Sequence, residues 1–160
     1  MIPRETRIRQ KSASWSAVAV LASTAILTSA LNATAARPSP QDAPKAASVV
    51  DGVFSADQAK RGQATYTQAC AACHQADLSG SDQAPGLAGG DFLDRWDGTS
   101  VGDLVDRIRT SMPADNVGSL TTPLSTDIVA YILQVNGFMP GQDELKADRA
   151  FQKTVMMKKK

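Results

Sequence analysis

The spacing of apolar residues in the second half of the chain predicts an amphipathic helix. Apolar side chains recur at intervals of three and four after Ser100, at Val101, Leu104, Val105 and Ile108. This spacing places them on one face of a helix. Ser100 and Asp103 have the spacing of a capping box, in which each side chain accepts a hydrogen bond from the other residue's backbone amide. We therefore predict a helix that follows Ser100.

An earlier helix is predicted from a similar start signal. Ser55 and Gln58 form a second capping-box pair, and the helix that begins there runs toward Cys70. Long loops rich in Gly, Pro and Asp separate the predicted helices. Long loops in a compact domain are usually functional, so we expect functional residues outside the helices as well.

A third helix is predicted near the C-terminal end. It starts at Thr122, with Pro123 at its first helical position, and ends at Asn136 and Gly137, where glycine adopts a left-handed cap. Its apolar residues are Ile128, Tyr131, Ile132 and Val135. No strand pattern is present in the sequence, so the predicted fold class is all-α, with three main helices.

The N-terminal segment predicts export from the cytoplasm. A basic stretch ends at Lys11, and no charged residue follows until Arg37. Small residues ending at Ala35 match the pattern that a signal peptidase recognises, so residues 1–35 are predicted to be a signal cleaved after Ala35. The alternative is an uncleaved anchor, because the uncharged residues 12–31 are long enough to span a bilayer. Both interpretations place the protein in the bacterial periplasm, soluble or tethered to the inner membrane.

Composition divides the remainder of the chain into three segments. Three prolines follow the predicted signal and indicate an extended linker over residues 36–48. The ordered domain is predicted over residues 49–145. Residues 146–160 are predicted to be a basic C-terminal tail, with lysine at each of the last three positions.

The net charge of +1 conceals an acidic domain. Between Ser48 and Ala147 there are 13 acidic and six basic residues. A nucleic-acid-binding domain would present a clustered basic face, and none is visible. The acidic domain instead indicates a partner protein with a basic docking patch, because complementary charge speeds encounter. Aromatic residues make up only 5% of the chain, and a buried porphyrin would supply the missing apolar bulk.

The pentapeptide Cys70-Ala71-Ala72-Cys73-His74 is a c-type haem attachment sequence. Two thiols three residues apart lie on one side of a helical turn, where each can form a thioether to a haem vinyl group. The histidine that follows can bind the iron from the haem face. The motif therefore predicts one covalent haem c, held by Cys70, Cys73 and His74.

Three other sites use similar residues. A structural zinc site needs four Cys or His ligands, and the chain contains two cysteines and one histidine. A thioredoxin-like redox motif belongs in a βαβ context, which the pattern lacks. A structural disulfide is possible in an exported protein, but it would constrain a very short span. Haem attachment is favoured because both cysteines and the histidine of the whole chain stand in one pentapeptide.

A methionine thioether is the expected sixth ligand, because it raises the reduction potential and suits electron transfer. Met1 lies in the export signal, and Met156 and Met157 lie in the predicted tail. Met112, followed by a proline in the loop between the second and third predicted helices, is preferred. Met139 follows the third predicted helix and is left as the alternative.

These residues together resemble class I cytochrome c over about 95 residues, from Asp51 to Leu145. The similarity is greatest to small mono-haem cytochromes found with periplasmic quinoprotein dehydrogenases. The matching segments, besides the haem motif, are Gly62 with Tyr66, Ala84 to Leu87, Met112 to Asn116, Ala130 to Leu133, and Asn136 to Phe138. The sequence departs from the family at Met139, where a proline is expected directly after the phenylalanine.

The resemblance implies roles for residues outside the haem motif. Pro85 corresponds to a proline whose carbonyl accepts a hydrogen bond from the ligand histidine. Gly62 and Tyr131 correspond to the close crossing of the first and last helices, with Tyr131 expected at the haem edge. Trp96 corresponds to an aromatic residue near the haem propionates, or is a plain packing residue. Arg109 either neutralises a propionate or is a solvated charge on a helix face.

The predicted function is one-electron transfer through a His/Met-ligated haem c, and the protein is not itself an enzyme. It acts as a free carrier or as the electron-accepting subunit of a dehydrogenase. The expected donor is a periplasmic dehydrogenase, and the expected acceptor is a terminal oxidase or another cytochrome. The alternative is a haem enzyme or gas sensor with an open sixth position, which carbon monoxide binding would distinguish. A further alternative is an assembly partner whose haem has no redox role.

Overall fold

A computed structural model of the protein describes residues 47–159. The predicted export signal, almost all of the predicted linker and Lys160 lie outside the described residues. The helices are α1 Ala56–Ala69, α2 Ala71–His74, α3 Gly90–Trp96, α4 Val101–Ser111, α5 Thr122–Val135 and α6 Arg149–Thr154. Two short strands, β1 Ala47–Ser48 and β2 Val155–Met156, form a parallel pair. A 3-10 turn, Val49–Asp51, follows β1.

The all-α prediction is confirmed, and the three predicted helices are α1, α4 and α5. The differences are the two-residue strands and the short helices α2, α3 and α6. Such short elements offer too few positions for a hydrophobic period to be visible in the sequence. None of the helices within residues 47–159 is long and apolar enough to cross a membrane.

The predicted N-cap side chains of α1 and α4 make the expected hydrogen bonds, but the capping box of α1 is incomplete. The Ser100 hydroxyl accepts from the Asp103 amide at 3.1 Å, and an Asp103 carboxylate oxygen accepts from the Ser100 amide at 2.9 Å. Ser55 likewise caps α1, accepting from the Gln58 amide at 3.1 Å. The Gln58 side chain, however, makes two hydrogen bonds to the backbone of Leu145, at 3.0 and 2.8 Å. A buried amide there joins α1 to a distant segment instead of completing the capping box.

Helix α5 begins and ends close to the predicted positions. Thr121 is the N-cap, so Thr122 is the first helical residue and Pro123 the second. The helix ends at Val135 with Asn136 as its C-cap, and Gly137 has a φ of 80°. A left-handed residue at this point stops the helix, as expected for glycine.

The main helix pair is α1 with α5, which cross at Gly62. A Cβ added to Gly62 would overlap the backbone carbonyl of Asp127 and lie 3.0 Å from the Cβ of Tyr131. The rings of Tyr66 and Tyr131 pack beside this crossing, with centroids 5.4 Å apart. Glycine is required there because any side chain would separate the two backbones.

The predicted C-terminal boundary is wrong, because residues beyond Leu145 pack onto the domain. Helix α6 contacts α4, and the side chains of Val155 and Met157 are buried. The Gln152 amide is buried too, and it donates to Thr126 Oγ1 at 2.9 Å and to the carbonyl of Lys146 at 2.8 Å. These few apolar and amide groups, spread among lysines, bind the segment to the core although its composition resembles a solvated tail.

Candidate functional site

A cavity of about 670 Å³ opens between the helices, and the predicted ligands meet on its walls. Both cysteines, the histidine and one methionine line it, namely Cys70, Cys73, His74 and Met112. Apolar side chains form most of the remaining wall, including Leu87, Phe92, Leu104, Ile108, Ile128 and Ile132. The cavity therefore combines thiols, an imidazole and a thioether with an apolar interior, which are the groups that a covalent haem requires.

The imidazole of His74 is held in one orientation. The residue ends α2 and is buried, and its Nδ1 lies 2.8 Å from the carbonyl oxygen of Pro85. A carbonyl oxygen only accepts hydrogen bonds, so Nδ1 carries the proton. Nε2 then keeps its lone pair and is the nitrogen available to a metal. The contact is the one that the family resemblance implies for Pro85.

The two thiols differ in their surroundings although both line the cavity. Cys70 is half-buried at the junction of α1 and α2, whereas Cys73 is exposed. Burial, followed by the nearby Cys73, raises the pKa of the Cys70 thiol to about 11. Cys70 is therefore a protonated thiol at neutral pH in the chain without haem.

Met112 lies at the end of α4 and lines the cavity together with the residues that follow it. Its backbone amide still donates to the carbonyl of Ile108 at 2.9 Å, so the helix end fixes its position. Met139, the alternative, is 72% exposed and does not line the cavity. Met157 is buried against the loop after α3, where its backbone amide donates a hydrogen bond to the carbonyl of Thr99 at 2.9 Å.

The exposure of Arg109 agrees with the alternative of a solvated charge on a helix face, and two other arginines line the cavity. Arg109 is exposed and is not a cavity residue, whereas Arg95 and Arg107 line the cavity. The reason is helical geometry, because Arg107 follows Leu104 by three residues and shares its face. Arg109 follows Leu104 by five residues and is rotated by about 140° from it. The spacing from Leu104 was the signal in the sequence that pointed to Arg107.

Of the two aromatic residues predicted to lie near the haem, Trp96 lines the cavity and Tyr131 does not. Trp96 lines the cavity and packs against Phe92, with ring centroids 6.3 Å apart. Tyr131 does not line the cavity and instead packs on Tyr66 at the helix crossing. Isoleucines of α5, rather than Tyr131, form the cavity wall on that side. The packing of Tyr131 on Tyr66 does not support its expected position at the haem edge, which stays a prediction.

A second cleft, of about 560 Å³, is lined by residues that precede α1 and by residues that follow α5. Its walls include three acidic residues, Asp51, Asp143 and Glu144, together with Lys146 and Phe151. It contains no cysteine, histidine or methionine. The chemistry of haem attachment therefore belongs to the larger cavity.

Comparison with known proteins identifies a family for this chain. Residues 57–150 match the protein family "Cytochrome C oxidase, cbb3-type, subunit III". A search of curated proteins finds no match. Among solved structures, the chain is similar to one in the "Crystal Structure of the Sulfane Dehydrogenase SoxCD from Paracoccus pantotrophus", with 24% identity and a TM-score of 0.42. That match covers 64% of this chain and 58% of the other, so this chain spans less than two thirds of its length.

The family match covers more than half of the chain and includes every predicted haem ligand. It agrees with the all-α fold and with the class of protein that the haem motif indicates. This chain belongs to the family "Cytochrome C oxidase, cbb3-type, subunit III", and it is a c-type cytochrome that binds haem c and transfers electrons.

Proposed function

We propose that this cytochrome carries single electrons through one haem attached to Cys70 and Cys73, with His74 and Met112 as the axial ligands. The observation that supports the proposal is the meeting of these four side chains on one cavity of about 670 Å³. The haem, when bound, supplies an iron that gains or loses one electron. The protein chain supplies attachment, ligands and an apolar surrounding that sets the reduction potential.

His74 serves as a ligand whose orientation does not change during electron transfer. Its Nδ1 proton is held by the Pro85 carbonyl at 2.8 Å, so Nε2 stays available as a neutral donor. A ligand that is already oriented needs little reorganisation when the charge of the iron changes. Fast electron exchange is the expected result.

Met112 serves as the second ligand and closes the site to other molecules. Its thioether is a soft donor that favours the reduced iron and raises the potential. The hydrogen bond from its backbone amide to the Ile108 carbonyl keeps Met112 at the end of α4, on the cavity wall. A held methionine leaves no open position for oxygen or peroxide.

Arg95 and Arg107 are proposed to neutralise the haem propionates. Both arginines line the cavity, as do Trp96 and Phe92, whose rings pack against each other. A guanidinium matches the geometry of a carboxylate with paired hydrogen bonds. Neutralised propionates lower the cost of placing the group in an apolar cavity.

The proposed location is the periplasm, which follows from the export signal predicted at the N-terminus. The proposed donor is a periplasmic dehydrogenase, on the basis of the sequence resemblance. The proposed acceptor is a terminal oxidase or another cytochrome, in agreement with the oxidase in the family's description. The chain acts in this proposal either freely or as a subunit beside the dehydrogenase.

Covalent attachment is the first part of the proposal to test. The chain is expressed with a haem-ligation system in an oxidising compartment and then subjected to acid-acetone extraction and denaturing electrophoresis. We expect the haem to stay with the protein. We expect Cys70→Ala and Cys73→Ala to lower the yield of stable haem protein, because one thioether remains at most. Complete loss of haem from the unaltered chain on extraction would contradict the proposal.

A further inference from the structure

The residue that follows His74 has a backbone conformation that side chains rarely adopt. Gln75 has a φ of 65° and a ψ of 155°. This region is populated almost entirely by glycine, because a Cβ there meets the adjacent peptide groups. A glutamine keeps such a conformation only when surrounding contacts hold it. The contacts of Gln75 therefore indicate what the strained turn is for.

The carbonyl oxygen of Gln75 accepts two hydrogen bonds. One comes from the hydroxyl of Tyr66 at 2.7 Å and the other from the amide of Leu78 at 3.2 Å. Tyr66 is 1% exposed, so its hydroxyl is committed to a protein partner. Its ring is fixed by Tyr131 at the crossing of α1 and α5. The Tyr66 hydroxyl thus connects the crossing of α1 and α5 to the strained residue.

The strained turn brings the chain back toward the imidazole. After Gln75, the amide of Gly80 donates to the carbonyl of His74 at 3.0 Å. The amide of Leu87 then donates to the carbonyl of Leu78 at 2.8 Å, which closes the loop. Pro85 lies inside this loop, and its carbonyl meets His74 Nδ1. The Pro85 carbonyl therefore belongs to a loop that starts at the strained turn of Gln75.

We propose that Tyr66 is a positioning residue for the haem ligand His74. Its hydroxyl holds Gln75 in the strained conformation, and the resulting turn keeps the Pro85 carbonyl on Nδ1. This inference rests on the proposed function, since it takes His74 as the iron ligand. Burial raises the pKa of the Tyr66 hydroxyl, in agreement with a group that keeps its proton and donates it to a carbonyl.

The chain contains one histidine, which permits a direct measurement. Labelling with 15N-histidine gives the Nδ1–H signal of His74 alone in the reduced haem-loaded protein, and its hydrogen exchange is followed by NMR. Loss of one hydrogen bond corresponds to an exchange rate about three- to tenfold faster, which we expect for Tyr66→Phe. The matched control is Thr67→Val, which removes a neighbouring hydroxyl bonded to the carbonyl of Gln63 at 2.9 Å. We expect no change in Nδ1–H exchange for the control.

A second variant separates positioning from packing. Gln75→Gly removes the strain, so the turn no longer needs the hydroxyl. In that background, Tyr66→Phe is expected to change the exchange rate by less than about twofold. Equal effects of Tyr66→Phe in both backgrounds, or no effect in the unaltered chain, would overturn the inference. The haem spectrum of the unaltered protein tests the proposed function separately, because it reports ligation whether or not Tyr66 matters.

Discussion

Among single residues, the two methionines near the ends of α4 and α5 have very different surroundings. Met112 is half-buried on the cavity wall at the end of α4, where its backbone amide donates a hydrogen bond to the carbonyl of Ile108. Met139 is 72% exposed. A thioether binds iron only where its sulfur reaches the cavity, so the two residues form a natural pair of test and control.

Met112→Ala is expected to abolish the weak far-red sulfur-to-iron absorption band of the oxidised protein. It is also expected to lower the reduction potential and to let carbon monoxide bind the reduced form, because the sixth position is then open. Absorption spectroscopy and potentiometric titration measure these changes. Met139→Ala is the control and is expected to leave the band and the potential nearly unchanged.

The reverse pattern, in which Met139→Ala loses the band and Met112→Ala keeps it, would reverse the ligand assignment. If the band is absent from the unaltered protein and from both variants, the iron has no methionine ligand. The gas-sensor or enzyme hypothesis would then be favoured.

Among the elements, the crossing of α1 and α5 depends on the absence of a side chain at Gly62. Gly62→Ala is expected to destabilise the protein by about 2 kcal/mol, because overpacking at a backbone contact separates the two helices. Thermal or denaturant unfolding of the haem-loaded protein measures the loss. Gly90→Ala is the matched control, since Gly90 begins α3 and a Cβ there has no atom within 4 Å. A variant at Gly62 as stable as the control would contradict the close crossing.

The C-terminal helix α6 is held to α4 partly by ion pairs. Lys153 lies 3.2 Å from the Asp106 carboxylate and pairs with Asp103 as well, and Arg149 lies 2.9 Å from Asp106. Hydrogen bonds from Lys153 and then from Ser100 lower the pKa of Asp103 to about 2. A lowered folded-state pKa means that the ionised carboxylate stabilises the fold above its unfolded-state value of about 4. This stability is lost as pH falls through about 2.

We therefore expect the free energy of unfolding to fall between pH 4 and pH 2, with a smaller fall in Lys153→Met. The difference is modest because the Lys153 and Asp103 side chains are 36% and 47% exposed, and solvent screens such pairs. Denaturant unfolding at several pH values measures it. Lys158→Met is the matched control outside this cluster and is expected to follow the unaltered protein. Identical pH profiles for both variants would show that the ion pair does not stabilise α6.

For the whole molecule, charge is distributed unevenly between the domain and its termini. With α6 and β2 included, residues 47–159 hold 14 acidic and ten basic residues, so the folded domain keeps a net negative charge and is expected to dock on a basic surface of its partner. Electron transfer with such a partner is expected to slow as salt rises, since the Debye length falls from about 10 Å at 0.1 M to about 3 Å at 1 M. Stopped-flow kinetics over this salt range measures the effect. A rate indifferent to salt would mean that apolar contact governs docking.

The position of the acidic residues refines this expectation. Asp115 lines the haem cavity, whereas Asp57 lies in the first turn of α1, about 20 Å along the helix from Cys70. Asp115→Asn is expected to weaken the salt dependence more than Asp57→Asn, because docking brings the partner to the cavity. Equal effects of the two variants would place docking elsewhere on the surface.

Much of this protein is determined by short stretches of its sequence. The haem motif is five consecutive residues, and its chemistry depends on spacing along one helical turn, so Cys70, Cys73 and His74 needed no tertiary information. The starts of α1, α4 and α5 follow from caps within four residues, and the all-α fold follows from those helices. Local hydrogen bonding and helical periodicity act over the same few residues that a sequence displays.

Tertiary structure decided what depends on distant segments meeting. Arg95 and Arg107, rather than Arg109, line the cavity because of how α3 and α4 face it. The position of Tyr131 at the helix crossing follows from how α5 packs on α1. The packing of α6 onto the core depends on a few buried groups among lysines, whose burial only the folded domain provides. Contacts between residues far apart in the chain depend on the packing of whole elements, and no local pattern encodes that packing.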